Sequence, residues 1–188
     1  LYHPGEANFR MASVIVINKC DTATEENIAA IEANAAKFNP KAVVIRANSP
    51  VTCEKPELVK GKQVLIIEDG PTLTHGSMSF GAGVVAAKHA GAAEIVDPFL
   101  YAVASIAATY QKYPNAKGIL PAMGYGDAQI RDLEATIEAT PCDVVISATP
   151  IDITRVLKVN KPMVRATYEL AEVKVGQLEE AVRKTLKA

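Results

Sequence analysis

Short apolar runs recur along the chain: SVIVIN (13–18), AVVIRA (42–47), QVLIIED (63–69), AEIVD (93–97), KGILPAM (117–123), DVVISAT (143–149) and PMVRATYEL (162–170). Several are nearly continuous in Val and Ile, the pattern of strands buried on both faces of a parallel sheet. Between them lie stretches predicted to be helical, about 23–38, 80–91, 99–112, 127–139, 152–157 and 176–187. In the first of these, Thr22 and Glu25 fit a capping box, and Ile28, Ile31, Ala35 and Phe38 fall on one face. In the last, Val175, Leu178, Val182 and Leu186 follow a similar spacing. The alternation predicts an α/β fold with a mostly parallel sheet flanked by helices. The stretch NSPVTCEKPELVKG (48–61), rich in Pro, Lys and Glu, reads as a connection and sets a domain boundary near residue 60.

Hydrophobic residues make up 49% of the 188 and charged residues 22%, an ordinary globular balance. This length suits one sizeable domain, or one domain and a piece of another. The net charge of −1 leaves no electrostatic footprint for nucleic acid or an acidic membrane. No apolar stretch is long enough to cross a bilayer, and no charged-then-apolar leader opens the sequence. Cys20, Cys53 and Cys142 are odd in number and lack C-x-x-C spacing. That argues against a disulfide framework or a zinc site and for free thiols in a reducing cytoplasm.

The first candidate chemistry is Asn18-Lys19-Cys20-Asp21, an N-K-x-D tetrapeptide at the end of the first apolar run. Many GTP-binding proteins read guanine this way. The Asp carboxylate accepts from the N1–H and the 2-amino group, neither of which adenine offers. The Lys19 stem lies along the base plane, and the Asn18 amide pairs with the base edge or braces the phosphate loop. A strand's carboxyl end is where α/β sheets place ligands. The next strand ends in Ala47-Asn48-Ser49-Pro50, and in many such folds this loop presents backbone amides to the guanine oxygen. The bland alternative is a chance tetrapeptide beside a plain turn. No G-x-x-x-x-G-K-[S/T] phosphate loop occurs in the 188 residues. The triphosphate cradle is therefore expected upstream, in a missing amino-terminal half of the same polypeptide. HPGEANFRMA would be the end of the preceding loop and helix.

The second candidate is LIIEDGPTLTHGSMSFGAG, in which a strand ends in Glu68 and Asp69 and a Gly-rich turn enters a helix. Such turns bring backbone N–H groups close to an anion. Thr72, Thr74, His75 and Gly76 lie within it. Glu68 and Asp69 are candidates for proton transfer, and Asp69 for a magnesium ion. Two further strand-to-helix loops, LPAMGYGDAQ and SATPIDITRV, fall at equivalent places. If the strands are parallel, all three open on one sheet edge. They would bring His75, Thr74, Tyr125, Asp127, Thr149, Asp152 and Arg155 towards one cleft. Helix capping is the structural alternative for Asp127 and Asp152.

Several segments resemble a known family: HPGEANFRMASVIVINKCDTA, EDGPTLTHGSMSFGAG, EIVDPFLYAVASI, LPAMGYGDAQIRDLEATI and SATPIDITRVLKVNKPMVRATYEL. They look like the carboxyl-terminal half of cyclic 2,3-diphosphoglycerate synthetase and its bacterial GTPase-annotated relatives. The resemblance implies a P-loop nucleotide-binding enzyme. Residues 1–60 would be the carboxyl-terminal part of the nucleotide-binding domain, and 61–188 a Rossmann-like substrate domain. It implies nucleotide-driven closure of an intramolecular phosphoanhydride, with magnesium. The nucleotide stays open: the archaeal family is associated with ATP, whereas N-K-x-D argues for GTP. The expected ligands are GTP or ATP, Mg2+ and a small anionic phosphorylated substrate. A regulatory GTPase-like or metabolite-binding module without synthetase chemistry is the alternative. An α/β scaffold for a homo-oligomer is a third.

Overall fold

The apolar runs do become strands, most of them paired in parallel. The computed structural model describes residues 5–70 and 81–187. In chain order its elements are α1 (Glu6–Met11), β1 (Val14–Ile17), α2 (Glu25–Phe38), β2 (Val43–Asn48), β3 (Val51–Cys53), β4 (Gln63–Asp69), α3 (Ala82–His89), β5 (Glu94–Ile95), α4 (Ala104–Lys112), β6 (Leu120–Ala122), α5 (Asp127–Ala139), β7 (Val144–Ala148), β8 (Met163–Tyr168), β9 (Ala171–Glu172) and α6 (Gln177–Thr185). This is a mixed α/β architecture of mostly parallel strands flanked by helices, compatible with a Rossmann-like fold. The chain divides into two compact units, Leu1–Pro50 with Tyr168–Ala188, and Val51–Thr167.

The sequence boundary near residue 60 does not coincide with this division. Val51–Cys53 form β3, which joins the second sheet beside β8. There, Thr52 Oγ1 lies 2.9 Å from Thr167 Oγ1. The final segment belongs with the first unit. β9 pairs antiparallel with β2, Ala47 opposite Glu172 and Asn48 opposite Ala171. The single run expected over 162–170 therefore ends at Tyr168, and a separate strand follows. Both differences arise from three- and two-residue strands, too short to show a period in the sequence.

In the first unit β1 and β2 run parallel, Val14 beside Val43 through Ile17 beside Arg46. Helix α2 connects them, with Ile28 and Ala35 buried. Arg46 ties β2 to this helix through Glu32 at 2.7 Å and Glu25 at 3.0 Å. The helix starts later than expected because Thr24, not Thr22, is its cap. Thr24 Oγ1 accepts from the Asn27 N–H at 3.3 Å, while the Thr22 hydroxyl donates to the Lys19 carbonyl. The buried Asn39 amide donates to the Phe9 and Ala12 carbonyls, fixing the end of α1 against the end of α2. The apolar spacing of the last helix is only partly used: Ala181 is buried, but Val182 and Leu186 are exposed.

In the second unit the strand order is β3-β8-β7-β4-β5, with β6 also paired to β4. β5, β6 and β7 are all parallel to β4, and β8 is parallel to β7. Val64, Leu65, Ile66 and Ile67 of β4 are fully buried, as expected for the centre of a sheet covered on both faces. Ile67 pairs with Leu120 of β6 and with Ser147 of β7, so these strands flank β4 on opposite sides. The chain visits one side of β4 and then the other. This makes the carboxyl end of β4 a topological switch point, where open α/β sheets place ligands. The helix expected over 99–112 breaks into a 3-10 turn, Phe99–Tyr101, and α4. At the break, the Val103 N–H donates to Thr136 Oγ1, and both the Ser105 N–H and hydroxyl donate to Asp132. The helix expected over 152–157 is a single 3-10 turn, Ile153–Arg155. Among the described residues, no helix is long and apolar enough to cross a membrane.

Candidate functional site

In the first unit the carboxyl ends of β1 and β2 lie side by side, because the strands are parallel and adjacent. Asn18, Lys19 and Asp21 follow β1 and are exposed. Lys19 adopts a left-handed backbone with φ 62. The turn it makes is closed by Thr22 and Ala23 N–H groups donating to its carbonyl. Cys20 N–H donates to the Ala47 carbonyl at 3.0 Å, and Asp21 Oδ1 accepts the Ser49 N–H at 3.2 Å. These two bonds bring Asn18, Lys19, Asp21, Asn48 and Ser49 to one edge. Asp21 keeps its second carboxylate oxygen without a hydrogen bond among the described residues. That oxygen is available to a base donor.

In the second unit three strands end at one sheet edge. The register sets Glu68 beside Pro121 and Ala148, and Asp69 beside Ala122. The carboxyl ends of β4, β6 and β7 therefore lie together. Thr72, Thr74, His75 and Gly76 lie outside the described residues. Tyr125 hydrogen-bonds Thr149 and stands within the field of Asp69; burial first, then Asp69, raises its phenol pKa above the ordinary value. Thr149 Oγ1 is 3.1 Å from Ser147 Oγ and donates to the Ile151 carbonyl at 2.8 Å.

Asp152 caps the turn after β7. It accepts from the Thr154 N–H at 3.2 Å and the Thr154 hydroxyl at 2.6 Å. Arg155 Nε donates to its other oxygen at 3.2 Å. Its pKa is lowered by the Thr154 hydroxyl above all, then by the Thr154 amide, Arg165 and Arg155. The capping alternative thus accounts for one oxygen of Asp152. Asp127 is exposed and is the first residue of α5, after Gly126 as cap. It suits the positive helix end there.

Glu68 and Asp69 part company, as successive strand residues do. Glu68 is 2% exposed and faces α3. Its carboxylate accepts the Gly83 N–H at 2.7 Å, with Val84 and Gly81 amides also bonded to it. Burial, the largest influence, pushes its pKa up to about 7 in spite of these donors. Glu68 thus anchors the end of the Gly-rich segment to the strand. Asp69 remains as the carboxylate at the edge. Mg2+ commonly takes one or two protein carboxylates and completes its shell with water and phosphate oxygens. Asp69 fits that use alone; among the described residues no group of three His, Cys, Asp or Glu forms a metal cage.

This anchoring depends on glycine. A Cβ on Gly83 would stand 2.5 Å from Ile66 Cγ2 and 3.0 Å from Glu68 Oε1; one on Gly81 would stand 2.4 Å from Glu68 Oε2. Ile66 is in the core and cannot yield freely. Gly83→Ala is expected to destabilise the chain by about 1–3 kcal/mol through overpacking. A urea midpoint equal to wild type would contradict the observed close approach.

No known protein-family profile matches the chain. Over 186 residues it is 56% identical to arginine synthetase ArcE of Thermococcus kodakarensis. This chain is similar to an arginine synthetase. The similarity takes in 99% of the chain but 42% of that protein, so the chain spans less than half of its relative's length. The name differs from that of the family the motifs resemble; the two share the word synthetase.

Arg165 and Ser147 carried no signal in the sequence. Each is one polar residue in an otherwise strand-like run, VVISAT and MVRATY. Only the parallel pairing of β7 with β8, Ser147 beside Arg165, brings them to the edge where Asp152 lies. Arg165 Nε is 4.0 Å from Asp152 Oδ1.

Proposed function

We propose that this chain is part of a nucleotide-dependent synthetase acting on a small anionic substrate, with arginine as the product to test first. The observation that carries the reading is the 56% identity to arginine synthetase ArcE across 99% of the chain. In the first unit Asn18, Lys19, Asp21, Asn48 and Ser49 would bind the base of GTP or ATP. In the second unit Tyr125, Thr149 and Arg155 would hold the substrate, with Asp152 setting Arg155 in place, Asp69 on Mg2+ and Glu68 positioning the Gly-rich segment. Asp127, exposed at the start of α5, would serve proton transfer. Phosphoryl transfer of this kind depends mainly on positioning and charge neutralisation, and these residue types supply both.

Closure of a phosphoanhydride in 2,3-diphosphoglycerate is the second reading, supported by the E-D-G-P-T-L-T-H-G and T-P-I-D segments. A triphosphate-driven synthesis of arginine must also run backwards. The intact protein with L-arginine, phosphate, Mg2+ and either GDP or ADP is therefore expected to form the triphosphate, the water lost on joining phosphate to the diphosphate being taken up as one guanidinium C–N bond of arginine is cleaved and its nitrogen leaves as ammonia or an amine. Triphosphate consumption dependent on 2,3-diphosphoglycerate would favour the second reading instead. Slow hydrolysis indifferent to both L-arginine and 2,3-diphosphoglycerate would overturn both and leave a regulatory module.

A further inference from the structure

Two guanidinium groups meet one carboxylate at the edge of β7 and β8. Arg155 is 82% exposed and sits 3.2 Å from Asp152 Oδ2; Arg165 is 26% exposed and lies 4.0 Å from Oδ1. The pair carries two positive charges against a single negative one. Asp152 is already engaged by Thr154 through Oδ1. Arg165 makes no side-chain hydrogen bond among the described residues; its Nε is buried, within ion-pair reach of Asp152 but without a hydrogen-bond partner among them. Buried donors on charged groups are nearly always paired, so this one marks an interaction still to be made. Arg165 rises from the same sheet face as Ser147, beside it in register and opposite to the face that holds Glu68. The surplus charge therefore sits at the carboxyl edge of the parallel strands, next to the switch point.

We propose that Arg165, with Arg155, forms an oxyanion-binding fork for the substrate, and that Asp152 competes with the ligand for both guanidiniums. This inference deepens the reading of the edge as a substrate site and rests on it. The planar guanidinium matches either a carboxylate or a phosphoryl group through paired N–H donors. Both sources share this chemistry. Arg165, half-buried on a strand, sets the position of the anion; Arg155, on the exposed turn, closes over it. The Asp152 carboxylate keeps the two cations together before a ligand arrives and lowers the affinity for an added anion.

The test measures binding to the intact protein by calorimetry, so it does not depend on turnover. The probes are inorganic phosphate, L-arginine and L-argininamide, which lacks the carboxylate. Arg165→Met is expected to weaken the preferred probe at least tenfold, and Arg165→Lys, which keeps the charge and loses the fork, several-fold. Asp152→Asn retains an acceptor for Thr154 and removes the competing charge; it is expected to bind several-fold more tightly. A merely structural role for Arg165 would not produce that opposite response. L-arginine binding that disappears with the amide assigns a substrate carboxylate to the fork; tighter binding of phosphate assigns a phosphoryl group. Wild-type affinity in Arg165→Met, weaker binding in Asp152→Asn, or no binding of any probe to wild type would overturn the proposal. Anion binding that follows these expectations without any acceptor-dependent turnover would instead refute the synthetase reading and leave the fork intact.

Discussion

Replacing Glu68 with Gln is expected to remove a pH dependence of stability between about pH 4.5 and pH 7. The carboxyl is raised from 4.5 to about 7 in the folded chain, mainly by burial. Across that window the unfolded chain releases the proton and the folded chain retains it. Stability from this group is therefore fully present below the unfolded value and is lost as pH rises through the folded one. The gap corresponds to roughly 3 kcal/mol. Glutamine keeps an oxygen for the Gly83 N–H but cannot ionise. Urea unfolding at pH 5 and pH 8 checks this: the difference between wild type and Glu68→Gln should shift towards the variant by about that amount at the higher pH. A constant difference would mean that the Gly81, Gly83 and Val84 amides fully offset the burial of the charge. The consequence reaches function, because the same carboxylate holds the end of the Gly-rich segment beside the proposed substrate edge.

Asp21→Asn is expected to weaken guanine nucleotide binding by about 2–3 kcal/mol, roughly 30- to 150-fold, with little change in adenine nucleotide binding. Losing a hydrogen bond to a charged group, and leaving its partner unpaired, costs this much. The substitution is clean because Asn retains the oxygen that accepts the Ser49 N–H, so the turn after β1 should persist. Its amide also offers a donor where the carboxylate offered an acceptor, so a 2-oxo purine should gain on guanine. Fluorescent-nucleotide titrations of the intact protein, with GDP and ADP as competitors, make the comparison. Equal competition by both in wild type would show that Asn18-Lys19-Cys20-Asp21 is a capped strand end and no base reader.

The candidate site was legible in unequal parts. Asn18, Lys19, Asp21, Asn48 and Ser49 could be grouped in advance because each directly follows an apolar run. Parallel pairing of neighbouring strands then brings their ends together. Tyr125, Thr149, Asp152 and Arg155 were legible for the same reason. For Glu68 the sequence shows only a carboxylate next to Asp69 at the end of a strand. The pleat turns it inward, and the glycines at 81 and 83 let backbone amides reach it. Thr22 reads as the cap of α2 because Glu25 stands three residues further on, as in a capping box, yet Thr24 takes that place. The choice between them is made by the turn that Lys19 closes, which draws the Thr22 hydroxyl to its own carbonyl. Arg165 was invisible because a lone polar residue in a strand says nothing about its neighbours.

By itself the sequence determined the α/β class, the places of most long strands and the loops that carry polar chemistry. These follow from local rules: continuous Val and Ile runs bury on both faces, and turns and caps declare themselves within a few residues. Only the tertiary structure decided that β9 returns to β2, that Glu68 faces α3, and that Arg165 shares Asp152 with Arg155. Those outcomes depend on which distant strands pair and in which register. A two-residue strand or a single arginine has too few local contacts to encode that choice.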